Sequence, residues 1–431
     1  MEKEVRLGPD EAGSARAIQE AIDALGAGGG RVVLPAIEIE LDRGIELRSG
    51  VELAGAGPQT VLRKAPGRVY PLSGYHNYGM FDVPLVYTDG LAPGMTVAIR
   101  DDRRGGFYET FARVTWVDDG WVGIDTGLHS DYGAAERPVL VTAFPLVYGL
   151  EAEDVGLRDL TLDGNRAAQP EGIGACRGAA VYFLRSRRIT ISGVSEHSFR
   201  GEGLGFQMCS RLTIRDCACC GNEGNGFHPG AGSTAVLFDR CTGEGNGAAG
   251  FFFCVRATRI TVRECRFTGN TACGVSIGTR DNHNLIERCR IEENRGPGVL
   301  FRATERPVET QTVRVTGCRI TGNAHESGLG QIEIQGDARD LLLDHNRING
   351  SPGREAAGIS VAPTAEHVWV AGNSVHDCFP GVAGVAKRWD EGRPPLDCGL
   401  ESARPQHMRH LEPQTIASAG AHGPQPTPYA P

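Results

Sequence analysis

From residue 149 to about 386 the chain repeats one short pattern of apolar and polar positions. An alternating strand such as Leu212-Thr-Ile-Arg-Asp leads to a cysteine, a turn closes on an asparagine, and a glycine-led apolar run follows. The cysteine and the asparagine lie five residues apart at Cys217/Asn222, Cys241/Asn246, Cys265/Asn270, Cys289/Asn294 and Cys318/Asn323. The first four of these cysteines are spaced 24 residues apart. A fixed period of this length marks stacked units, none of which can bury its apolar face without its neighbours. Three short strands and three turns per repeat predict a triangular coil, with successive coils pairing in parallel about 4.8 Å apart. Like residues then stack. Asn amides in a turn donate to one coil and accept from the next, giving a ladder, and the equivalent thiols form a second, buried column.

Around this array the pattern changes three times. Residues 1–65 open with a helical period, apolar at Ala15, Ile18, Ala21, Ile22 and Leu25, with Ser14 as N-cap and an end at Gly26. Short strands at 31–35, 45–47 and 51–53 follow, so this segment is predicted to be a helix capping the first coils. Residues 66–148 lose the repeat and hold seven of the nine tyrosines. Strand-like runs at 95–100 and 121–125 predict a small inserted β-domain there. Beyond 387 no periodic apolar residues remain, and 387–431 is expected to be a disordered tail.

Alternation within the glycine-led strand fixes which side chains face out. It predicts an inward column of Phe183, Phe206, Phe227, Phe253, Ile277, Phe301 and Ile334. One outer column then reads Tyr182, Gly205, Gly226, Phe252, Ser276, Leu300, Glu333, and the next Leu184, Gln207, His228, Cys254, Gly278, Arg302, Gln335. A floor of small residues between Tyr182 and Phe252 suits a sugar ring. On this face His228 is the candidate general base or acid, with Tyr182 a second proton-transfer group. Arg256, Arg280 and Arg302 would hold carboxylates repeated along an acidic polysaccharide. Asp281 and Glu305 either neutralise these arginines or act themselves, and Glu202, Gln207, Ser276, His283 and Glu333 complete the expected substrate contacts.

Composition narrows the picture. Glycine accounts for 60 of 431 residues without a collagen period, in keeping with frequent turns. A net charge of −9 argues against a nucleic-acid partner, which would need a dominant basic face. There is no 18-residue apolar run, so no membrane partner is expected. The start, Met1-Glu-Lys-Glu-Val-Arg-Leu7, lacks the apolar stretch of a signal peptide. The expectation is a cytoplasmic protein, or a secreted one if a leader has been removed. The thirteen cysteines are odd in number and cluster only at Cys217-Ala-Cys219-Cys220, whose spacing fits no zinc pattern, so stacked reduced thiols are expected rather than disulfides or zinc.

The repeat, with Ala17-Ile-Gln-Glu-Ala-Ile-Asp23, Gly29-Gly-Arg-Val-Val-Leu-Pro35 and Ser49-Gly-Val-Glu-Leu-Ala-Gly-Ala-Gly57 before it, resembles the pectate-lyase-like superfamily over roughly 10–65 and 149–386. That resemblance implies an all-β, right-handed parallel β-helix and carbohydrate-active relatives: lyases, hydrolases, epimerases, and non-catalytic tailspikes and adhesins. The Asn-Thr-Asp, Asp-Asp and Gly-His-Gly set of polygalacturonases is missing. Gly226-Phe-His-Pro-Gly230 is loosely similar to the Gly-Phe-Asp-Pro-His segment of alginate C5-epimerases, with His228 at the aspartate position and Gly230 at the histidine position. That activity is therefore not carried over. No cofactor is expected, and no acidic calcium cluster of the pectate-lyase kind is evident, Asp281 and Glu305 being the carboxylates that would contribute to one. Three functions follow as expectations. The leading one is a lyase- or epimerase-type enzyme abstracting the C5 proton of a uronate-containing polysaccharide or oligosaccharide. The second is a glycoside hydrolase or transglycosylase using two of Glu202, Asp281, Glu305 and Glu333. The third is a non-catalytic carbohydrate-binding or structural β-helix, with self-association left open.

Overall fold

A computed structural model of the chain describes residues 3–103, 109–170, 172–174, 176–325, 327–350, 356–384, 386–388 and 396–399. The repeat folds as a parallel β-solenoid. The strands Thr234–Asp239, Thr242–Glu244 and Phe251–Phe252 make one coil, and the next begins at Thr258–Arg263. Successive coils pair in register, Thr234 with Thr258, Thr242 with Arg266 and Phe251 with Val275. Two faces merge round a corner into one 22-stranded sheet, and the third forms an 11-stranded sheet running from Ile45–Glu46 to Val382–Ala383. Inside, fully buried rings interlock, Phe238 against Phe251 at 4.7 Å and Phe251 against Phe253 at 4.8 Å between centroids.

Turn chemistry sets the coil corners. The residue before each ladder asparagine lies in the left-handed region, with φ of 63° at Gly221, 62° at Gly245, 62° at Gly269 and 66° at Gly322. Only glycine enters that region without a Cβ penalty, and Glu293 occupies the equivalent place at 55°. The turn aims each amide along the axis. Asn246 Nδ2 donates to Asn270 Oδ1 at 3.0 Å, Asn270 to Asn294 at 2.9 Å and Asn294 to Asn323 at 2.7 Å. The ladder extends beyond its asparagines, since Asn323 donates to Gln331 Oε1 and Asn222 donates to Glu196 Oε2. Beside it the thiols stack, the Cys241 N–H donating to Cys265 Sγ and the Cys289 N–H to Cys318 Sγ. Asn346 takes over that column by accepting from the Cys318 N–H. All thirteen cysteines are free.

The helix Ala15–Leu25 buries the five apolar residues named above, with Ser14 Oγ accepting from the Ala17 N–H and Gly26 as C-cap. Six antiparallel strands between Val69–Pro71 and Val139–Val141 form a separate sheet within the insert. It has its own core around Tyr70, Val97, Ile99, Val122 and Tyr132. Most of the segment beyond 387 lies outside the described residues. Its 396–399 stretch packs on the solenoid, the Gly399 N–H donating to the His283 carbonyl and Cys398 Sγ to that of Thr312.

One coil departs from the expected columns. Phe227 pairs with Leu204 and Phe251, and it is Pro229 that stands beside Phe206. His228 therefore replaces Gly226 in the column of Tyr182, Gly205, Phe252, Ser276, Leu300 and Glu333. A slip of two residues preserves period 2, so alternation alone could not detect it.

Candidate functional site

The face from Tyr182 to Glu333 is largely closed by its own side chains. The expected glycine floor is filled. A Cβ on Gly205 or Gly230 would meet Cys176 Sγ at 3.0 or 2.9 Å, and one on Gly278 would collide with the Arg302 guanidinium. Gly226 sits in the turn against the Gly250 carbonyl and Asn246. Arg302 lies over Phe252, 4.2 Å from the ring centroid, and donates to Ser276 Oγ at 2.5 Å and to the Phe253 carbonyl at 2.8 Å. Asp281, 3.6 Å from Arg302, is wholly buried and accepts from the Ala257 and Gly278 N–H groups. Burial pushes its carboxyl up to about 6 against the pull of those N–H groups and Arg302. Glu333 accepts from the Gly330 N–H and from Ser360 Oγ.

The other expected residues scatter. Arg256 and Arg280 are exposed in left-handed turns, with φ of 65° and 54°, whereas Arg302 packs over Phe252. Glu305 is exposed, and half-buried His283 faces the Asp397 carbonyl through Nδ1 at 3.2 Å. His228 is buried, its Nδ1 donating to Glu202 Oε2 at 2.5 Å, instead of standing open beside glycines. Among the described residues no three His, Cys, Asp or Glu side chains gather as a metal site, and Asp281 and Glu305 differ completely in exposure.

The open cleft lies toward the N-terminus, where the insert leans on the first coils. It has a volume of about 270 Å³ and is lined by Phe111, Arg113, Asp125, His129, Tyr148, Leu150, Arg177, Tyr182 and Leu184, among others. Tyr148 and Tyr182 are successive members of the outer column. Tyr182 donates to Gln207 Oε1 at 2.8 Å. Arg113 Nη2 donates to the Tyr148 hydroxyl at 3.1 Å and to Glu46 Oε2 at 3.2 Å. Burial and the Glu46 charge raise the Tyr148 phenol, with Arg113 opposing them, and burial also raises Tyr182. Both phenols therefore stay protonated near neutral pH. His129 also lines the cleft, with Nδ1 donating to the Glu109 carbonyl at 3.2 Å, so the neutral ring would carry its lone pair on Nε2. The Arg177 guanidinium covers the Phe111 ring at 4.7 Å. A further hollow of about 150 Å³ continues past Thr96, Arg113 and Tyr148 to Arg43 and Arg48 beside the helix.

The family model for the right handed beta helix region matches the sequence twice, over residues 147–285 and 258–386. The chain belongs to the right-handed β-helix family. A search of curated proteins returned no match to this β-helix protein. Among solved structures it is similar to the A-module of the Azotobacter vinelandii mannuronan C-5 epimerase AlgE4, at 17% identity and a TM-score of 0.58, covering 89% of this chain and 96% of that one. The AlgE6 A-module from the same organism is similar at 19% identity and a TM-score of 0.57, covering 89% and 93%. An exopolygalacturonase from Thermotoga maritima is similar at 15% identity and a TM-score of 0.49, covering 89% and 91%. All three are carbohydrate-acting enzymes by name.

Of the cleft residues, the outward columns of the sequence include Tyr182 and Leu184, and of these Tyr182 is the site candidate. Tyr148 carried a usable signal, since Val147-Tyr-Gly-Leu150 pairs residue for residue with Val181-Tyr-Phe-Leu184. Phe111, Arg113 and His129 carried none, because they reach the β-helix only through the packing of the insert.

Proposed function

We propose that the β-helix protein acts on a uronate-containing polysaccharide or oligosaccharide in the cleft between the insert and the first coils, by lyase- or epimerase-type abstraction of the C5 proton. The observation that carries this reading is the meeting of two guanidiniums, two protonated phenols and one imidazole around a single open cleft. Arg113 and Arg177 hold and neutralise the uronate carboxylate, lowering the cost of the carbanion-like state at C5. His129 Nε2 takes the proton. Tyr148 or Tyr182 returns one, to the leaving glycosidic oxygen in elimination or to the opposite face of C5 in epimerisation. Phe111 and the tyrosine rings provide aromatic surface for the sugar.

The hydrolase reading finds less support. None of Glu202, Asp281, Glu305 and Glu333 lines the cleft, and the first two and Glu333 are buried and engaged by other groups. The test is incubation with a panel of uronate polymers, following ultraviolet absorbance for unsaturated uronate, proton NMR for C5 inversion and calorimetry for binding. Turnover that is lost in His129→Gln supports the proposal. Binding without turnover moves the assignment to a carbohydrate-binding β-helix, and silence in all three measurements overturns it.

A further inference from the structure

Two coils beyond the cleft, the Glu202–His228 pair is held more tightly than packing requires. The carboxylate accepts from His228 Nδ1 at 2.5 Å and from Asn225 Nδ2 at 2.8 Å, so it is fixed from two sides. The His228 side chain is 5% exposed, and its Nε2 has no hydrogen-bond partner of acceptable geometry. Leaving a buried ring nitrogen unpaired is unfavourable. Nδ1 is turned back to the preceding coil, and the following coil brings the Cys254 thiol within interaction range of the ring. That coil presents Cys254. Its N–H donates to the Pro229 carbonyl at 3.0 Å, which seats it beside Gly230, two residues past His228 on the same face. Cys176 Sγ and the Gln207 side chain fill the space over Gly230, and Phe252 packs edge-on against the imidazole at 5.0 Å. Eleven of the thirteen cysteines are buried, and only Cys220 and Cys254 are partly exposed.

We propose that Cys254 is a nucleophilic thiol, activated by His228 and oriented through it by Glu202, and that it is a modification site for peroxide-class oxidants. The thiol proton passes to His228 Nε2, and the thiolate sulfur attacks one peroxide oxygen. The O–O bond breaks, and the departing hydroxide takes the proton back from the imidazolium and leaves as water. Sulfur is oxidised by two electrons to the sulfenic acid, and the peroxide is reduced. The groups around the imidazole favour its charged form. Burial works against the charge, but Glu202 and Cys254 outweigh it and raise His228 to about 9. Asp281 lies within electrostatic reach and pairs with Arg302, which is also close enough to feel Cys254. Cys176, whose Sγ donates to the Phe206 and His228 carbonyls, is the remaining titratable neighbour, and burial holds its thiol protonated.

Cys220 provides the control inside the same molecule. It is also partly exposed, but burial raises its thiol, and its in-register neighbour His197 turns Nδ1 toward Asp163 at 3.8 Å. The full chain is treated briefly with iodoacetamide, or with dilute hydrogen peroxide followed by dimedone, and both cysteines are quantified by peptide mass spectrometry. Cys254 is expected to react about tenfold or more faster than Cys220 near neutral pH and to take the dimedone adduct. His228→Gln is expected to bring Cys254 down to the Cys220 rate without changing Cys220. Equal rates for the two cysteines in the wild type overturn the proposal whatever the variant does, and so does an unchanged Cys254 rate in a folded His228→Gln protein.

Discussion

Glu196 caps the asparagine ladder from inside the core, and replacing it with glutamine should stabilise the protein at neutral pH. Its side chain is 1% exposed and stands in an inward column between Leu162 and Cys219. Oε2 accepts from Asn222 Nδ2 at 2.8 Å, and Oε1 has no partner among the described residues. Burial dominates and pushes the carboxyl up to about 8 from 4.5, with the Asn222 and Cys219 contacts opposing it. The folded state therefore holds a proton that the unfolded chain gives up from about pH 4.5 upward. Stability is fully present below that pH and drains away as pH rises through the folded value, at about 1.4 kcal/mol per pH unit, or roughly 3 kcal/mol by pH 7. Glutamine keeps the acceptor for Asn222, has nearly the same shape and does not titrate. Urea unfolding followed by far-ultraviolet circular dichroism should show wild type losing about 2–3 kcal/mol relative to Glu196→Gln between pH 5 and pH 7. Parallel stability curves for the two proteins, or a wild type that gains on the variant as pH rises, would refute the argument.

Asn270→Ala removes a side chain that accepts from the Asn246 N–H and Nδ2 and donates to the Gly243 carbonyl and Asn294 Oδ1, all in the dry interior. With buried groups left unpaired, the loss should be about 3–5 kcal/mol, and hydrogen exchange at the Asn246 amide should quicken. A loss below about 1 kcal/mol with unchanged protection contradicts the ladder's energetic role. Lys64 is lowered to about 7 by burial, its Nζ donating to the Thr142 carbonyl and Gln169 Oε1. Above that pH the folded state has lost a proton that the unfolded chain keeps, so wild-type stability should climb relative to Lys64→Met by about 2–3 kcal/mol from pH 7 to pH 9, read from urea midpoints. Arg113→Leu should weaken calorimetric binding of a uronate oligosaccharide by about 10- to 100-fold, the worth of a charge-assisted hydrogen-bonded contact. Unchanged affinity in that variant would exclude Arg113 from the carboxylate site.

What the sequence determined is what repeats. The Cys and Asn columns, the glycine-led strand and the apolar period of Ala15–Leu25 are local patterns multiplied over many coils, so each coil's constraint is restated by the next. Coil geometry, the ladder and the capping helix were legible for that reason. Parity was legible too, which is why Tyr182, Phe252 and Ser276 were placed on the correct face. Register within that parity was not, because a slip of two at Phe227–Pro229 leaves alternation intact. Nor was the fate of the glycine floor. Small residues signal space, but only tertiary packing decides what fills it, and here Cys176 from a long connection and the Arg302 side chain do so. The cleft was beyond reach for the same reason. Phe111, Arg113 and His129 come from a non-repeating insert that folds on a core of its own, and where such a body leans on the solenoid depends on surface complementarity, which leaves no period in the chain.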